Sequence, residues 1–412
     1  MNLLSVEQAR QRILAHFQSL PTETLALRAC SERVLAQNIA TTHDLPPFDN
    51  SSMDGFAVLA EDVAGATRSS PRRLRVVGDI PAGSHPAFTL ASGEAARIMT
   101  GAPLPGGADA VVPVEDTDVN NRDAGTPAPD EVQIFQSVKA GANRRGRGMD
   151  LRAGEVVFNP GRLLKPQDLG LLAMLGVADV LVYRKPRLAL FSSGDELLEV
   201  DAPLEKGKIR DSNSYMLAAL IEGAGAHVLQ LGVAKDEPES VKALLEKAVE
   251  ASVDLILSSA GVSVGAFDFV KQVIESNGRM DFWRVNMRPG KPLAFGEYKG
   301  IPFIGLPGNP VSAYVGFQVF VDPAIRRLRG LLDEGKPTVR VRCAEQIDSD
   351  GRESYLRAQI QVDPEHKGWV ARLAGHQGSG NLHSLVQANA LLIIPAGVKC
   401  VPAGQELEAW FI

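Results

Sequence analysis

Apolar residues near the start of the chain recur at the spacing of one helical face. That face carries Val6, Ala9, Ile13 and Leu14. Ser5 followed by Gln8 fits a capping box, which predicts that a helix begins there. A second helical stretch is expected around residues 33–35, and the adjacent Pro46 and Pro47 must end it. The pattern therefore predicts a helical start to the chain that stops at these prolines.

From about residue 51 to residue 143 the apolar runs are short. Gly and Pro clusters separate runs at 73–77, 96–99, 110–114 and 131–135. This pattern is typical of strands and turns, and a helical pattern resumes at 165–175. We therefore predict a helical domain in two halves, 1–45 and 144–180, with a β domain of residues 46–143 inserted between them.

Beyond residue 186, apolar runs of strand length alternate with helical patterns. Strands are predicted at 187–191, 228–231, 254–258 and 303–306. Helices are predicted at 214–223, 237–251 and 267–275, with another beginning at 310. This alternation favours a doubly wound parallel sheet, so we expect an α/β domain at 181–330. The final segment, 331–412, returns to strands and turns and is expected to form a small β barrel.

Composition limits the classes of protein that fit this pattern. The chain has 412 residues, 45% of them hydrophobic and 22% charged, which is typical of a globular protein with roughly two to four domains. Its net charge of -6 disfavours non-specific nucleic-acid binding. The cysteines at 30, 343 and 400 are too scattered for a disulfide framework or a zinc site. No apolar run approaches the ~20 residues of a membrane span, so we expect a soluble, cytoplasmic protein.

Glycine-rich loops at the predicted strand ends are the first candidates for chemistry. They lie at 192–196, 258–265, 288–292 and 305–312. In an open parallel sheet, ligands bind at the carboxyl ends of the strands, where backbone N–H groups favour an anion. The residues that could contact a phosphate-like ligand there are Ser259, Gly261, Ser263, Gly265, Gly308, Asn309 and Ser312. None of the loops matches a Walker or GxGxxG pattern, and each alone could be a tight turn.

Carboxylates accompany these loops. They are Asp54, Asp150, Asp195, Glu196, Asp211 and Asp268. Carboxylates repel a bound phosphate unless a cation lies between them, and oxygen ligands with phosphate suit Mg²⁺. Each acid alone could instead be a helix cap or turn residue, which is the better interpretation for Asp195. Basic residues available for oxyanion contacts are Arg144, Arg145, Arg147, Arg284, Arg288 and Lys291.

Eight segments in succession resemble the motifs of one family. Residues 47–57, PFDNSSMDGFA, closely resemble the signature of the MoeA family, the molybdopterin molybdenumtransferases, to which the C-terminal part of gephyrin also belongs. Further motifs resemble the same family at 78–83, 97–105, 193–197, 211–213, 261–265, 288–292 and 305–312. They occur in the family's order and span nearly the whole chain, so together they are highly specific.

The resemblance implies an elongated homodimer of four-domain subunits. It also implies a molybdopterin-binding α/β domain like that of the adenylyltransferases of the same pathway, one of which would be the upstream partner. The implied reaction is the insertion of molybdate into the dithiolene of adenylylated molybdopterin, with Mg²⁺-dependent release of AMP. The dithiolene sulfurs belong to the pterin, so the protein needs no cysteine ligand.

Site residues follow from the resemblance position by position. The acids expected to act on the metal and the adenylate are Asp54, Asp150, Glu196, Asp211 and Asp268, with Asp54, Glu196 and Asp268 as metal ligands. Thr100 would contribute a hydroxyl group. The substrate would be held by a basic set at 284–291 and by the C-terminal domain: Arg284, where many relatives carry Lys, Arg288 and Lys291, then Arg357, Gln377 and Ser379.

One position departs from the family pattern, and two other functions stay open. Ala260 stands where the family has the first glycine of Gly-Gly-Val-Ser-Val-Gly, and alanine is disfavoured there if the position needs a positive φ. The same α/β domain could belong to a molybdopterin adenylyltransferase, which would need ATP. The chain could also be a non-catalytic molybdopterin-binding scaffold, although the retained acids argue against this.

Overall fold

The structure, a computed structural model, describes residues 3–119, 125–260, 269–332, 335–363 and 368–412. The chain divides into two compact units. The larger unit contains Met1–Gln37, Pro160–Ala173 and Val177–Ile412, and the smaller contains Asn38–Asn159 and Met174–Gly176. Within the described ranges, none of the helices is long and apolar enough to cross a membrane.

The described helices are mostly short. The α-helices are α1 (Val6–Leu14), α2 (Pro166–Met174), α3 (Ser212–Gly223), α4 (Pro238–Glu250), α5 (Phe269–Asn277), α6 (Pro310–Gly316), α7 (Asp322–Leu328) and α8 (Leu382–Gln387). Single 3₁₀ turns occur at Leu27–Ala29 and Val114–Asp116. A π-helical turn at Phe317–Val321 joins α6 to α7. Pro323 explains it, because proline has no N–H to donate to the carbonyl four residues earlier.

Strands make up most of the remaining regular structure. They are β1 (Thr22–Ala26), β2 (Ile39–Ala40), β3 (Asn50–Ser51), β4 (Gly55–Val58), β5 (Arg72–Ile80), β6 (Glu94–Ile98), β7 (Ala110–Pro113), β8 (Glu131–Ile134), β9 (Arg144–Arg145), β10 (Val156–Phe158), β11 (Asp179–Tyr183), β12 (Arg187–Ser193), β13 (Leu197–Leu198), β14 (Ile209–Arg210), β15 (His227–Ala234), β16 (Leu255–Ser259), β17 (Gly278–Arg284), β18 (Met287–Arg288), β19 (Pro292–Tyr298), β20 (Ile301–Leu306), β21 (Thr338–Cys343), β22 (Ile347–Asp348), β23 (Glu353–Asp363), β24 (Gly368–Leu373), β25 (Ala390–Ile394), β26 (Cys400–Val401) and β27 (Glu406–Phe411).

The smaller unit is built on one sheet with the strand order β7-β4-β6-β5-β8. Phe56, Val112 and Ile134 are fully buried in its core. Gly55 approaches the neighbouring strand so closely that a Cβ there would lie 2.0 Å from the carbonyl oxygen of Val112, so only glycine fits. The inserted β domain that the short apolar runs predict is confirmed.

The N-terminal segment agrees with the sequence only in part. α1 begins at the predicted capping box, with both Ser5 and Gln8 making their reciprocal bonds. The second helix expected at 33–35 is wrong. Val34 and Leu35 instead form isolated antiparallel bridges to Leu163 and Val182. The reason is tertiary, since pairing with these distant segments satisfies the backbone that a short helix would have paired locally.

A six-stranded sheet forms the α/β part of the larger unit, with the order β15-β12-β16-β20-β19-β17. The first four strands are parallel, as predicted, whereas β19 and β17 add an antiparallel edge. Separate apolar cores cover the two faces, with α3 and α6 on one and α4 and α5 on the other. The parallel strands place the ends of β12, β16 and β20 side by side.

The C-terminal strands close into a barrel. Its order is β23-β24-β21-β27-β25, and β25 pairs back with β23. Leu356, Ile360 and Leu392 fill its interior. The small β barrel predicted for this segment is confirmed. The long strand β23 carries Arg357, which lies at 0% exposure.

Candidate active site

Three strands that precede predicted loops of the α/β domain, β12, β16 and β20, end side by side at one edge of the sheet. In the strand register Ser192 lies opposite Ser259, and Ser259 lies opposite Leu306. The loop 305–309 therefore begins beside the end of β16. Ser259 and Ser312 are both buried, whereas Gly308 and Asn309 are exposed. This edge combines hydroxyl groups and backbone amides, which suits an anionic ligand.

Asp211 is the N-cap residue of α3 and lies at the same edge of the sheet. Its carboxylate accepts a hydrogen bond of 3.0 Å from the amide of Ser214 and a second from the hydroxyl of that residue. Ser214 Oγ also lies 2.9 Å from Ser192 Oγ, at the end of β12. Asp211 is only 8% exposed. It therefore caps the helix, as the simpler interpretation of an isolated acid predicts, and it ties that helix to the sheet edge.

Asp195 and Glu196 form a tight turn beyond β12. Gly194 has a φ of 145°, and a Cβ there would lie 2.4 Å from the Glu196 carboxylate. The Asp195 carboxylate accepts a bond of 3.3 Å from the amide of Asp236, and the Asp236 carboxylate accepts one of 3.4 Å from the amide of Asp195. Asp195 is thus a turn residue, as expected. The Glu196 side chain is exposed, and it takes part in none of the described hydrogen bonds.

The start of α6 is linked to the barrel. Asn309 occupies the N-cap position, but its side chain makes no capping bond there. The amide of Val311, in the first turn, donates to the backbone carbonyl of Ser379 over 3.1 Å. This bond places the barrel loop that contains Ser379 beside the start of α6. Two of the predicted substrate-binding segments are therefore neighbours in space.

Arg357 is a buried cation whose side-chain hydrogen-bond partners, among the described residues, are all neutral oxygens. Its Nε donates to Ser384 Oγ over 3.1 Å, and one terminal nitrogen donates to the carbonyls of His376 and Gly378 over 3.2 and 2.9 Å. The other terminal nitrogen, Nη1, is buried and has no hydrogen-bond partner within the described part of the chain. Burial and the nearby charge of Arg288 lower the pKa of Arg357 to about 10.

The basic segment of residues 284–291 lies close to the barrel. Arg288 is half-buried, 4.0 Å from the carboxylate of Asp350, whereas Arg284 and Lys291 are exposed. Arg352 donates to the carbonyl of Met287 over 3.1 Å. Hydrogen bonds from Arg352 lower the pKa of Asp350 below its usual value. Barrel residues thereby hold this segment through both charge and backbone contacts.

The smaller unit contains a separate polar cluster. Asp54 Oδ1 accepts bonds of 2.7 Å from both the amide and the hydroxyl of Thr100. β3, just before Asp54, pairs with β9 of the Arg-rich segment. The exposed Asp150 donates its amide to the carbonyl of Leu45 over 2.9 Å. The structure therefore brings the predicted Asp54 and Thr100 together.

The remaining predicted residues divide between the units or lie outside the described ranges. Asp54, Thr100 and Asp150 belong to the smaller unit, and the other described site residues belong to the larger. Gly261, Ser263, Gly265 and Asp268 lie outside the described residues. Where the chain is described, no group of three or more His, Cys, Asp or Glu side chains comes together to hold a metal.

Sequence reasoning assigned no role to several polar residues at these positions. Asn213, inside the motif at 211–213, donates hydrogen bonds to both Ser259 and Gly308. Ser384 accepts from Arg357. Gln377, which the family resemblance does include, forms two bonds with the backbone of Arg357, of 2.9 and 3.0 Å. The only sequence signal was the presence of Asn213 within a recognised motif. The contacts of Ser384 depend on the closure of the barrel, which the sequence does not show.

Comparison with known families covers most of the chain. Residues 4–176 match the MoeA N-terminal region (domain I and II), and residues 189–327 match a probable molybdopterin binding domain. Residues 340–412 match the MoeA C-terminal region (domain IV).

Individual relatives agree with these matches. The chain is 40% identical over 394 residues to a molybdopterin molybdenumtransferase of Nostoc sp., covering 94% of this chain and 88% of the relative. It is 39% identical over 412 residues to molybdopterin molybdenumtransferase 2 of Mycobacterium tuberculosis, covering 98% of each. The solved structure of a molybdopterin biosynthesis MoeA protein from Pyrococcus horikoshii, 29% identical, matches 100% of each chain with a TM-score of 0.82. This chain therefore belongs to the MoeA family, the molybdopterin molybdenumtransferases.

Proposed function

We propose that this molybdopterin molybdenumtransferase uses adenylylated molybdopterin, inserts molybdate into its dithiolene and releases AMP. The substrate carries a pyrophosphate and the second substrate is an oxyanion. Both require cations and hydrogen-bond donors from the protein. The sheet edge and the adjoining barrel of the larger unit offer these groups.

Arg357 is the observation that carries the proposal. A buried charge is costly unless it is paired, and the described partners of this guanidinium are all neutral oxygens. Its Nη1 has no hydrogen-bond partner in the described ranges, and Arg288 adds a second positive charge nearby. An oxyanion placed at Nη1 would satisfy both the hydrogen bond and the charge. We therefore propose that molybdate binds to Arg357, with Arg288 and Ser379 as its neighbours.

The pyrophosphate is proposed to lie at the carboxyl edge of the sheet. Ser259, Ser312 and the amide of Asn309 supply donors there, and Gly308 lets the backbone approach closely. The exposed Arg284 and Lys291 add positive charge from the adjoining segment. By resemblance, the loop residues Gly261, Ser263 and Gly265 complete this set.

Mg²⁺ is proposed to accompany the phosphates rather than occupy a protein-only cage. Where the chain is described, three ligands do not come together. Mg²⁺ commonly takes only one or two carboxylates and completes its coordination with waters and substrate phosphates. The exposed Glu196 fits such a ligand, and Asp54 and Asp268 keep this role by resemblance. When bound, the cation would neutralise charge on the phosphates.

The acids of the smaller unit are proposed to act on the substrate. Thr100 fixes the direction of the Asp54 carboxylate through two bonds of 2.7 Å. A carboxylate held by donors on one side is preorganised for a partner on the other. Asp150 and the Thr100 hydroxyl complete the proposed catalytic set, with Asp211 holding the start of α3.

The assembly and compartment are proposals as well. We propose a homodimer that receives its substrate from a molybdopterin adenylyltransferase. A light-scattering mass close to the 44.1 kDa of one chain at micromolar concentration would contradict the dimer. Cys30, Cys343 and Cys400 are all unpaired thiols, which supports a reducing compartment such as the cytoplasm.

One assay tests the reaction. The protein is incubated with adenylylated molybdopterin, molybdate and Mg²⁺, and AMP and the metallated pterin are measured. Release of AMP together with metallation supports the insertase. Adenylylation of free molybdopterin by ATP would show the adenylyltransferase instead, and binding with no product would show the scaffold.

A further inference from the structure

The side chain of Asn213 joins three segments that lie far apart in the sequence. It belongs to the first turn of α3 and is 7% exposed. Its Nδ2 donates to Ser259 Oγ at the end of β16 and to the carbonyl of Gly308 before α6, each over 2.7 Å. The two hydrogens of one amide group therefore set the spacing between two of the loops at the sheet edge.

These two bonds also orient the donors on either side. A hydroxyl that accepts a hydrogen bond still has its own hydrogen to donate, so Ser259 is left as a donor. In a trans peptide the N–H points opposite to the preceding carbonyl. Because the Gly308 carbonyl points to the buried Asn213, the N–H of Asn309 points away from it. Gly308 and Asn309 are themselves exposed.

The orientation of the Asn213 amide group is fixed. Its Oδ1 is buried and has no hydrogen-bond partner among the residues that the structure describes. Leaving a buried acceptor unpaired costs stability, which the two bonds of Nδ2 must offset. The Gly308 carbonyl can only accept, which fixes Nδ2 rather than Oδ1 on that side. The N–H₂ group is therefore the part of this side chain that makes its contacts with the two loops.

We propose that Asn213 is a positioning residue for the phosphate groups of the substrate. It holds the Ser259 hydroxyl and the Gly308–Asn309 peptide so that both present hydrogen-bond donors to the same anion. The inference rests on the proposed function, since it assigns these donors to the pyrophosphate of adenylylated molybdopterin. Molybdate, proposed to bind at Arg357, does not depend on it.

The test compares two variants with a matched control. Asn213→Asp keeps the shape of the side chain but removes both donors, and Asn213→Ala removes the group if the first variant does not fold. Asn277→Asp is the control, because Asn277 also donates from Nδ2 to a backbone carbonyl, that of Val273 over 3.1 Å, at the far end of α5. Melting temperature, the Kd of adenylylated molybdopterin and the KM of molybdate are measured for each protein.

We expect both Asn213 variants to raise the Kd of adenylylated molybdopterin at least tenfold and to leave the KM of molybdate within threefold. Amide hydrogen exchange should accelerate at 305–313. The control should lower the melting temperature without changing either constant. If the wild type binds and the Asn213 variants bind equally well, or if both substrates weaken together, the inference is overturned. If the wild type itself binds no adenylylated molybdopterin, the proposed function fails instead.

Discussion

The methyl group of Ala260 faces Gly308 across the site. A Cβ built on Gly308 would lie 3.2 Å from the Cβ of Ala260. Ala260 itself has a φ of 70°, in the left-handed region that favours glycine. Ala260 therefore holds a backbone conformation that glycine adopts without strain, and its methyl group narrows the space between the end of β16 and the loop before α6.

Replacing Ala260 by glycine should stabilise the protein. The left-handed conformation costs an L-residue roughly 1–2 kcal/mol, and glycine escapes this cost although it gains entropy in the unfolded chain. We expect a net gain of about 0.5–1 kcal/mol in the free energy of unfolding, measured by urea denaturation. Affinity for molybdopterin should stay the same or increase. A large loss of affinity would show that the site uses the methyl group.

Gly308→Ala should be costly only while Ala260 is present. The new methyl group would meet that of Ala260 at 3.2 Å, closer than normal van der Waals contact. We expect a loss of about 1 kcal/mol in the wild type and less than half of this in the Ala260→Gly background. Urea denaturation of the four proteins of this double-mutant cycle measures the coupling. Equal losses in both backgrounds would show that the methyl contact is not the cause.

The layout of the site follows from the sequence where it depends on local signals and topology. The capping box at Ser5 predicted the start of α1, and the alternation of strands and helices predicted that β12, β16 and β20 would end side by side at one sheet edge. The sequence also predicted that alanine at position 260 would be disfavoured if the position needs a positive φ, and the φ of Ala260 is positive. These features depend on neighbouring residues or on the general geometry of parallel sheets.

Features that depend on distant pairing could not be predicted. Val34 and Leu35 do not form the expected helix, because they form β-bridges with segments more than 100 residues away in the sequence. The sequence did not indicate that Arg357 is buried, because its neutral hydrogen-bond partners come from a loop and a helix across the barrel. The role of Asn213 depends on the register of β16 and on the position of the loop before α6.

A second glycine tests the packing away from the site. Gly225 has a φ of 82°, and a Cβ there would lie 2.4 Å from the guanidinium of Arg329. That guanidinium donates to the carbonyls of Ala224 and Glu32 over 2.7 and 2.8 Å. Gly225→Ala should therefore lower the free energy of unfolding by roughly 2–3 kcal/mol, through both strain and lost bonds. Unfolding in guanidinium chloride measures this change in the free energy of unfolding.

The control for this prediction lies two residues earlier. Gly223 ends α3, and a Cβ there would meet nothing within 4 Å. Gly223→Ala should leave stability unchanged or raise it by up to about 1 kcal/mol, since alanine favours the helix. Activity per folded molecule should not change in either variant. Similar losses at both positions would contradict the role of Arg329.

Molybdate should stabilise the protein through Arg357. Because burial lowers the pKa of the folded guanidinium to about 10, while the unfolded group keeps its ordinary value, the charge opposes folding at neutral pH and its penalty falls only as the pH rises through that value. A bound dianion offsets this penalty. At 100 times its Kd, molybdate should add about 2.7 kcal/mol of stability, measured as a rise in melting temperature.

Arg357→Lys and Arg329→Lys separate this effect from the general loss of a buried arginine. Both guanidinium groups are buried and bonded to backbone carbonyls, but both terminal nitrogens of Arg329 donate to carbonyls, whereas Nη1 of Arg357 has no partner among the described residues. Lysine keeps the charge but lacks the planar fork that holds an oxyanion at Nη1. The Arg357 variant should lose the molybdate-dependent rise, whereas the Arg329 variant should melt earlier and keep the full rise. An unchanged rise in the Arg357 variant would place the oxyanion elsewhere.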